Sequence, residues 1–300
     1  MIFALLLAFV LETVCETEWE DAPGGLSGIT FAGKDRYFAV SDRGGKVCEF
    51  TLAMDGEGEL SPPETVREFA LKGLQKGDVE GCALDPLAKG RLWVSDENDT
   101  SIRSFNTADG VQILHMDLSG IFAGVRRNRS LESLSISPDG LEMWTANEDT
   151  LAGDGETASR KSGGRVRLQR FVRGSAAEGW KRDRQRMYST DAVGGENFSG
   201  AARCGVADLL ALGNGGLLVL EREFSKKNPL FPDFRLRIYK LGKSGKTLVW
   251  EKNNSFANYE GMTFGPKLPD GSRTVVLVSD GAGDALKMVM SLKERPKKGK

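Results

Sequence analysis

Apolar and polar positions along the chain fall into short paired runs separated by turns, and the pairs repeat. SGITF begins at Ser27, EGCAL at Glu80, ESLSI at Glu132, DLLAL at Asp208 and EGMTF at Glu260. The starts lie 53, 52, 76 and 52 residues apart, so one period recurs and the third interval carries about 24 extra residues. A turn and a second apolar run follow each start: YFAVSD, RLWVSDEN, EMWTANED, GLLVLERE and TVVLVSDG. Turn chemistry is explicit in SPDG (Ser137–Gly140) and GNGG (Gly213–Gly216). A third run closes several units, as in KVCEF, SIRSF, RLRIYK and ALKMVM. No stretch has the period of a long amphipathic helix. Short β-rich runs recurring every 52 residues or so predict an all-β chain, a β-propeller of four-stranded blades. Five repeats are visible, and a six-bladed ring is the alternative if the long third interval hides another blade. After ALKMVMSL only a basic tail remains, so ring closure requires an outer strand from TVCETEW, ahead of the first motif.

The expected organisation is an N-terminal segment over 1–18, a propeller over 19–292 with an insertion at about 153–204, and a basic tail over 293–300. Residues 1–11, MIFALLLAFVL, have the length of a signal-peptide core and are too short to span a bilayer. Export to the periplasm or medium is therefore expected, with no integral membrane span. The 300 residues carry a net charge of −1, which gives no global attraction to nucleic acid. Charge is uneven locally: residues 160–186 are strongly basic, either a solvated loop or an anion-recognising surface. Cys15, Cys48, Cys82 and Cys204 have no metal-type spacing, and one disulfide is possible in an exported chain.

The first strand of a propeller blade lines the central channel. Ser27, Glu80, Glu132, Asp208 and Glu260 begin the five first strands, so they are read as one ring around the axis. Carboxylates crowded into a narrow channel repel unless their pKa values rise or a cation binds. An all-oxygen, acid-rich set favours Ca²⁺. Glu80, Glu132, Asp208 and Glu260 are the candidate ligands. A second set, Asp42, Asp96, Asn147, Glu221 and Asp280, closes the second strands, with Glu97, Asn98, Glu148 and Arg222 beside some of them. Antiparallel pairing returns this set to the same rim, where it serves as an outer shell or simply as strand-ending turn residues. His115 is the only histidine and lies away from every motif, and no G-x-S-x-G elbow is present.

DVEGCALDPLAKGRLWVSDENDTSI, ESLSISPDGLEMWTANED, VADLLALGNGGLLVLERE and YEGMTFGPKLPDGSRTVVLVSD together resemble the phytase-like family, described as esterase-like activity of phytase. The likeness runs from about Gly25 to Ala282. It implies an exported propeller acting on phosphate or other esters. The inner-ring pattern is more distantly similar to calcium-dependent lactonase and gluconolactonase propellers, whose metal-ligand positions correspond to Glu80, Glu132, Asp208 and Glu260. Ser27 and Ser133 depart from the acid and glycine of the sister repeats. A metal-assisted hydrolysis follows, with Glu148, Asp96 or Glu221 as candidate base and Arg222 or Arg129 holding substrate oxygens. The expected partner is a small anionic or ester substrate, and the expected state a monomer. The alternative is a non-catalytic propeller in which Ca²⁺ is structural and the rim binds a ligand or protein.

Overall fold

The second strands decide the architecture. YFAV, RLWV, MWTA, LLVL and VVLV are apolar at successive positions, which a strand requires only when both its faces are covered. The computed structural model describes residues 9–74, 76–126, 129–194, 202–225, 233–242, 245–280 and 287–295. There the five runs are the second strands of five antiparallel four-stranded blades. Strand β1 (Leu11–Glu18) precedes blade one, which comprises β2 (Leu26–Gly33), β3 (Arg36–Ser41), β4 (Lys46–Thr51) and β5 (Glu64–Ala70). Blade two is β6 (Val79–Leu84), β7 (Arg91–Asp96), β8 (Ser101–Asn106) and β9 (Gln112–Asp117). Blade three is β10 (Leu131–Ile136), β11 (Glu142–Asn147), β12 (Arg165–Val172) and β13 (Lys181–Ser189). Blade four is β14 (Arg203–Gly213), β15 (Gly216–Ser225), β16 (Asp233–Gly242) and β17 (Gly245–Ser255). Blade five is β18 (Asn258–Phe264), β19 (Thr274–Asp280) and β20 (Met288–Glu294), completed by β1. The described residues include no helix, hence none long and apolar enough to cross a membrane.

Alternate residues of each second strand serve opposite neighbours. Tyr37 and Ala39 join the core between blades five and one, while Phe38 and Val40 join the core between one and two. Trp93 faces blade three, and Trp144 faces blade four. Leu218 and Leu220 meet Val275 and Leu277 between blades four and five. Five interblade cores result, and at about 1.5–3 kcal/mol per fully buried large aliphatic or aromatic side chain they dominate the folding energy. The inner strands β2, β6, β10, β14 and β18 touch in a closed ring.

Polar staples join these inner strands. Thr30 Oγ1 accepts from Leu84 N (3.0 Å), Ser135 Oγ from Ala211 N (2.9 Å) and Thr263 Oγ1 from Phe31 N (3.1 Å). Blade four has Leu210 at the equivalent position and cannot supply a hydroxyl. Asp208, two residues earlier, replaces it by accepting from Met262 N at 2.7 Å.

Closure uses the N-terminal strand. β1 runs antiparallel to β20 from Leu11↔Glu294 to Glu18↔Met288, and it contains the expected TVCETE segment. Residues 1–8, the bulk of the apolar leader-like run, lie outside the described residues. The long third interval supplies β12 and β13, with a long connection over 148–164, and no further blade is present among the described residues. Three arginines of the basic segment are consumed internally. Arg167 forks onto Asp154, Arg170 pairs with Glu142 and Asp183, and the fully buried Arg173 clamps Asp85 of blade two. All four cysteines are free thiols, so no disulfide forms.

Candidate functional site

Each first strand carries surplus residues against its partner just inside the channel mouth. A β-bulge re-aims a side chain that strict alternation would send elsewhere. The bulged positions hold Ser27, Glu80, Glu132, Ala207 and Glu260. The three glutamates line a cavity of about 390 Å³ at the mouth. On each second strand, the residue one step beyond the partner of the pre-bulge residue forms the next ring: Asp42, Glu97, Glu148, Arg222 and Asp280, all lining the same cavity. Asp78 and Asn258, each two residues before a bulged glutamate, complete the wall.

Eight carboxylates thus meet two guanidiniums, Arg222 and Arg203. Arg222 neutralises one half of the cup. Its Nη2 donates to Glu148 Oε1 at 2.8 Å and its Nη1 to Asn258 Oδ1 at 3.0 Å, and it also pairs with Glu260. Burial alone would lower the Arg222 pKa, but Glu260, Glu148 and Glu132 outweigh it and raise it.

Among the described residues the other half has no such cation. One oxygen each from Asp78, Glu80 and Glu97 lies within 4.8 Å of the others. Burial pushes the Glu80 carboxyl well up, reinforced by the charges of Glu260, Asp78, Glu97 and Asp42. Glu132 is raised well above the usual range by burial and then by Glu80 and Glu148. Burial, with Asp78 and Glu148, brings Glu97 up to about 7, even though Ser130 N donates to its Oε1 at 2.5 Å. Buried carboxylates whose neighbours disfavour ionisation, in an all-oxygen donor set, are the chemistry of a hard divalent-cation site.

The structure brings together Glu80, Glu132, Glu260, Glu148 and Arg222. It places the other sequence-derived candidates elsewhere. Asp208 aligns with Gly28, Gly81, Ser133 and Gly261, one residue beyond the bulge, and its side chain turns to blade five as the staple described above. Asp96 and Glu221 pair with the residue before the bulge and lie outside the cavity lining. Asp96 Oδ1 accepts from Asp78 N and Asn98 N at 3.3 and 3.2 Å. Glu221 is fully buried, accepting from Tyr188 Oη at 2.5 Å and Lys246 Nζ at 2.8 Å. Arg129 pairs with Asp149 at 2.5 Å. His115 is an outer-strand residue 3.8 Å from Asp99.

Sequence reasoning passes over Asp78 and Arg203 and gives Glu97 only as a neighbour of Asp96. The signal was available for Glu97. Aligning SD, DE, NE, ER and SD at the second-strand ends puts Asp42, Glu97, Glu148, Arg222 and Asp280 in one column. Arg203 has a different origin. Blade-four strands run 10 or 11 residues, extending past the mouth and lifting Arg203, Phe224 and Phe234 above one side of the cup. The Arg203 guanidinium lies 5.4 Å over the Phe224 ring.

A comparison with curated protein sequences finds no significant match. Among solved structures, a Myxococcus xanthus glutaminyl cyclase is 10% identical with a TM-score of 0.48, over 96% of this chain and 98% of that one. A luciferin-regenerating enzyme is 11% identical with a TM-score of 0.44, over 96% and 97%. A Kuenenia stuttgartiensis hydrazine synthase is 11% identical with a TM-score of 0.40, over 85% of this chain but only 64% of its own. None of these likenesses bears on chemistry. The family model described as "Phytase-like: Esterase-like activity of phytase" matches residues 22–281, spanning blades one to four, the two inner strands of blade five and every wall of the acidic cup, and the chain belongs to that family.

Proposed function

We propose that the acidic cup is the active site of an exported, Ca²⁺-dependent hydrolase of phosphate or other esters. The observation that carries the reading is the charge excess: among the described residues, eight carboxylates against two guanidiniums in one cavity of about 390 Å³. Fully ionised, that is six surplus negative charges, which would repel any anionic ester. Asp78, Glu80 and Glu97 have the donor chemistry to hold the cation, with Glu132 beside them. A bound Ca²⁺ would supply Lewis acidity toward an ester oxygen and offset two of those charges, and the raised pKa values of Glu80, Glu97 and Glu132 lower the excess further.

The remaining groups divide the work by what they already hold. Glu148 has one oxygen committed to Arg222 and lies close enough to Glu97 and Glu132 to raise both, so its second oxygen is the base that takes a proton from water. Arg222 is a positioning residue, because Glu148 and Glu260 occupy its guanidinium. Arg203, with no ion pair among the described residues, receives the substrate oxyanion. Asp96, Glu221 and Arg129 support the frame.

The test is hydrolysis of 4-nitrophenyl phosphate and 4-nitrophenyl acetate by the full chain, before and after chelation. The expected result is turnover that is lost on chelation, restored by Ca²⁺, and reduced at least a hundredfold in Glu148→Gln with Ca²⁺ affinity retained. No turnover of either ester class with excess Ca²⁺, alongside tight Ca²⁺ binding, would replace this reading with a binding propeller held together by its cation.

A further inference from the structure

The opposite end of blade four carries charge of the opposite sign. The β14–β15 turn has three successive left-handed residues, Gly213, Asn214 and Gly215, with φ of 83°, 54° and 74°. A Cβ on Gly215 would stand 2.2 Å from Nη2 of Arg184, so glycine is what lets that guanidinium lie against the turn. Arg186, on the same face of β13, is fixed by donating to Gly242 O at 2.9 Å and to Gly215 O at 3.4 Å. Lys240 of blade four and Arg273 of blade five complete a cleft of about 580 Å³.

The nearby carboxylates are already engaged. Glu142 holds Arg170 and accepts from Gly215 N, Asp183 pairs with Arg170, and Glu294 pairs with Arg273. Arg184, Arg186 and Lys240 therefore have no ion pair among the described residues. Burial and the adjacent Arg184 charge lower the Arg186 pKa, a cost that a bound anion would remove.

We propose that this cleft binds a small tetrahedral oxyanion, the phosphate group of a phosphate ester or free phosphate, at a site distinct from the acidic cup. Planar guanidinium forks match phosphate oxygens in pairs, and the volume leaves room for an organic portion beyond the anion. Arg222 of the cup and Gly216 of the cleft lie six residues apart on β15, which separates the two sites by roughly 20 Å along the strand, at about 3.3 Å per residue.

The experiment titrates the full chain, stripped of divalent cations, with inorganic phosphate, pyrophosphate, glycerol 3-phosphate and chloride at constant ionic strength, followed by calorimetry and backbone amide shifts. One-to-one saturation by the phosphates is expected, with shifts centred on Asn214–Gly216. Tighter binding of glycerol 3-phosphate than of phosphate would identify the ester as the ligand, and the reverse would identify free phosphate. R184Q/R186Q should weaken binding at least tenfold, and K240M alone severalfold, which keeps a readout if the double variant misfolds. Equal response to chloride, unchanged affinity in K240M or the double variant, or shifts centred on the acidic cup would overturn the site.

Discussion

At the scale of single residues, Asp208 and Glu80 separate two uses of a buried carboxylate. Burial raises the pKa of both, but charged neighbours add to it only at Glu80; at Asp208, Met262 N and Leu209 N oppose the rise. Asp208 accepts two backbone N–H groups, Leu209 N on Oδ1 and Met262 N on Oδ2, and touches no cation among the described residues, so its value lies in accepting hydrogen bonds. Asparagine keeps one acceptor, for Met262 N, but turns an NH2 toward Leu209 N. Asp208→Asn should therefore cost stability, by less than the alanine variant, and leave Ca²⁺ affinity near the parent's. Asp208→Ala should cost about 1–3 kcal/mol, because Met262 N is left buried and unpaired. Glu80→Gln should behave in the reverse way. It removes a charge from a crowded cup, so the cation-free protein should melt no lower, while Ca²⁺ affinity falls at least about tenfold, 1.4 kcal/mol. Calorimetric Ca²⁺ titration with thermal melting of the three variants decides it. A loss of affinity in Asp208→Asn matching that in Glu80→Gln would return Asp208 to the cation site.

At the scale of strands, the sequence shows why the fold was legible and the site only partly so. Successive apolar positions in the second strands require two covered faces, and their recurrence every 52 residues or so counts the blades directly. Site geometry depends on a one-residue bulge, which leaves no mark in composition. DLLAL looks like its sister motifs, yet its bulged residue is Ala207, and the acid sits one step further on a different face. Asp78 and Arg203 were hidden for a related reason, because both precede the apolar runs by which strands are recognised. Paired elements also store ionic stability away from the cup. Asp191, between blades three and four, accepts from Lys246 Nζ at 2.6 Å and Tyr239 Oη at 2.5 Å and pairs with Arg237. Burial alone would raise its pKa, but these partners hold it down at about 2. A carboxyl lowered in the folded state contributes stability above its unfolded value near 4, and that contribution disappears as pH falls toward 2. Its size is about 2 kcal/mol at most, since Asp191 is partly exposed. Between pH 4 and 2, Asp191→Asn should melt with a visibly shallower pH slope than the parent, and identical slopes would remove Asp191 from the acid-labile set.

At the scale of the whole molecule, ring closure and the proposed export would make competing demands on the same residues. β1 is the outer strand of blade five, and its first half is well anchored. Leu11 is 4% exposed within the core between blades four and five, and Trp250 Nε1 donates to Thr13 Oγ1 at 2.9 Å. Its second half is tied by Glu16, which accepts from Tyr259 Oη at 3.1 Å and pairs with Lys252 at 2.9 Å. Closing one blade with strands from both ends of a chain converts many local contacts into a single long-range one, so loss of that strand opens the ring at one seam. Processing at Cys15 would delete Leu11 and Thr13 and leave β20 an unpaired edge over half its length. Processing ahead of Phe9 would leave the strand whole. A chain beginning at Phe9 should therefore match the full chain in melting temperature and Ca²⁺ affinity. A chain beginning at Glu16 should lose several kcal/mol, because buried Leu11 and the β1–β20 ladder go together. It should also expose the β19–β20 pair to limited proteolysis while blades two and three stay protected, a pattern readable by mass spectrometry of the fragments. Equal stability of the two truncated chains would mean that the ring closes without β1, and export with cleavage near Cys15 would then be compatible with the fold.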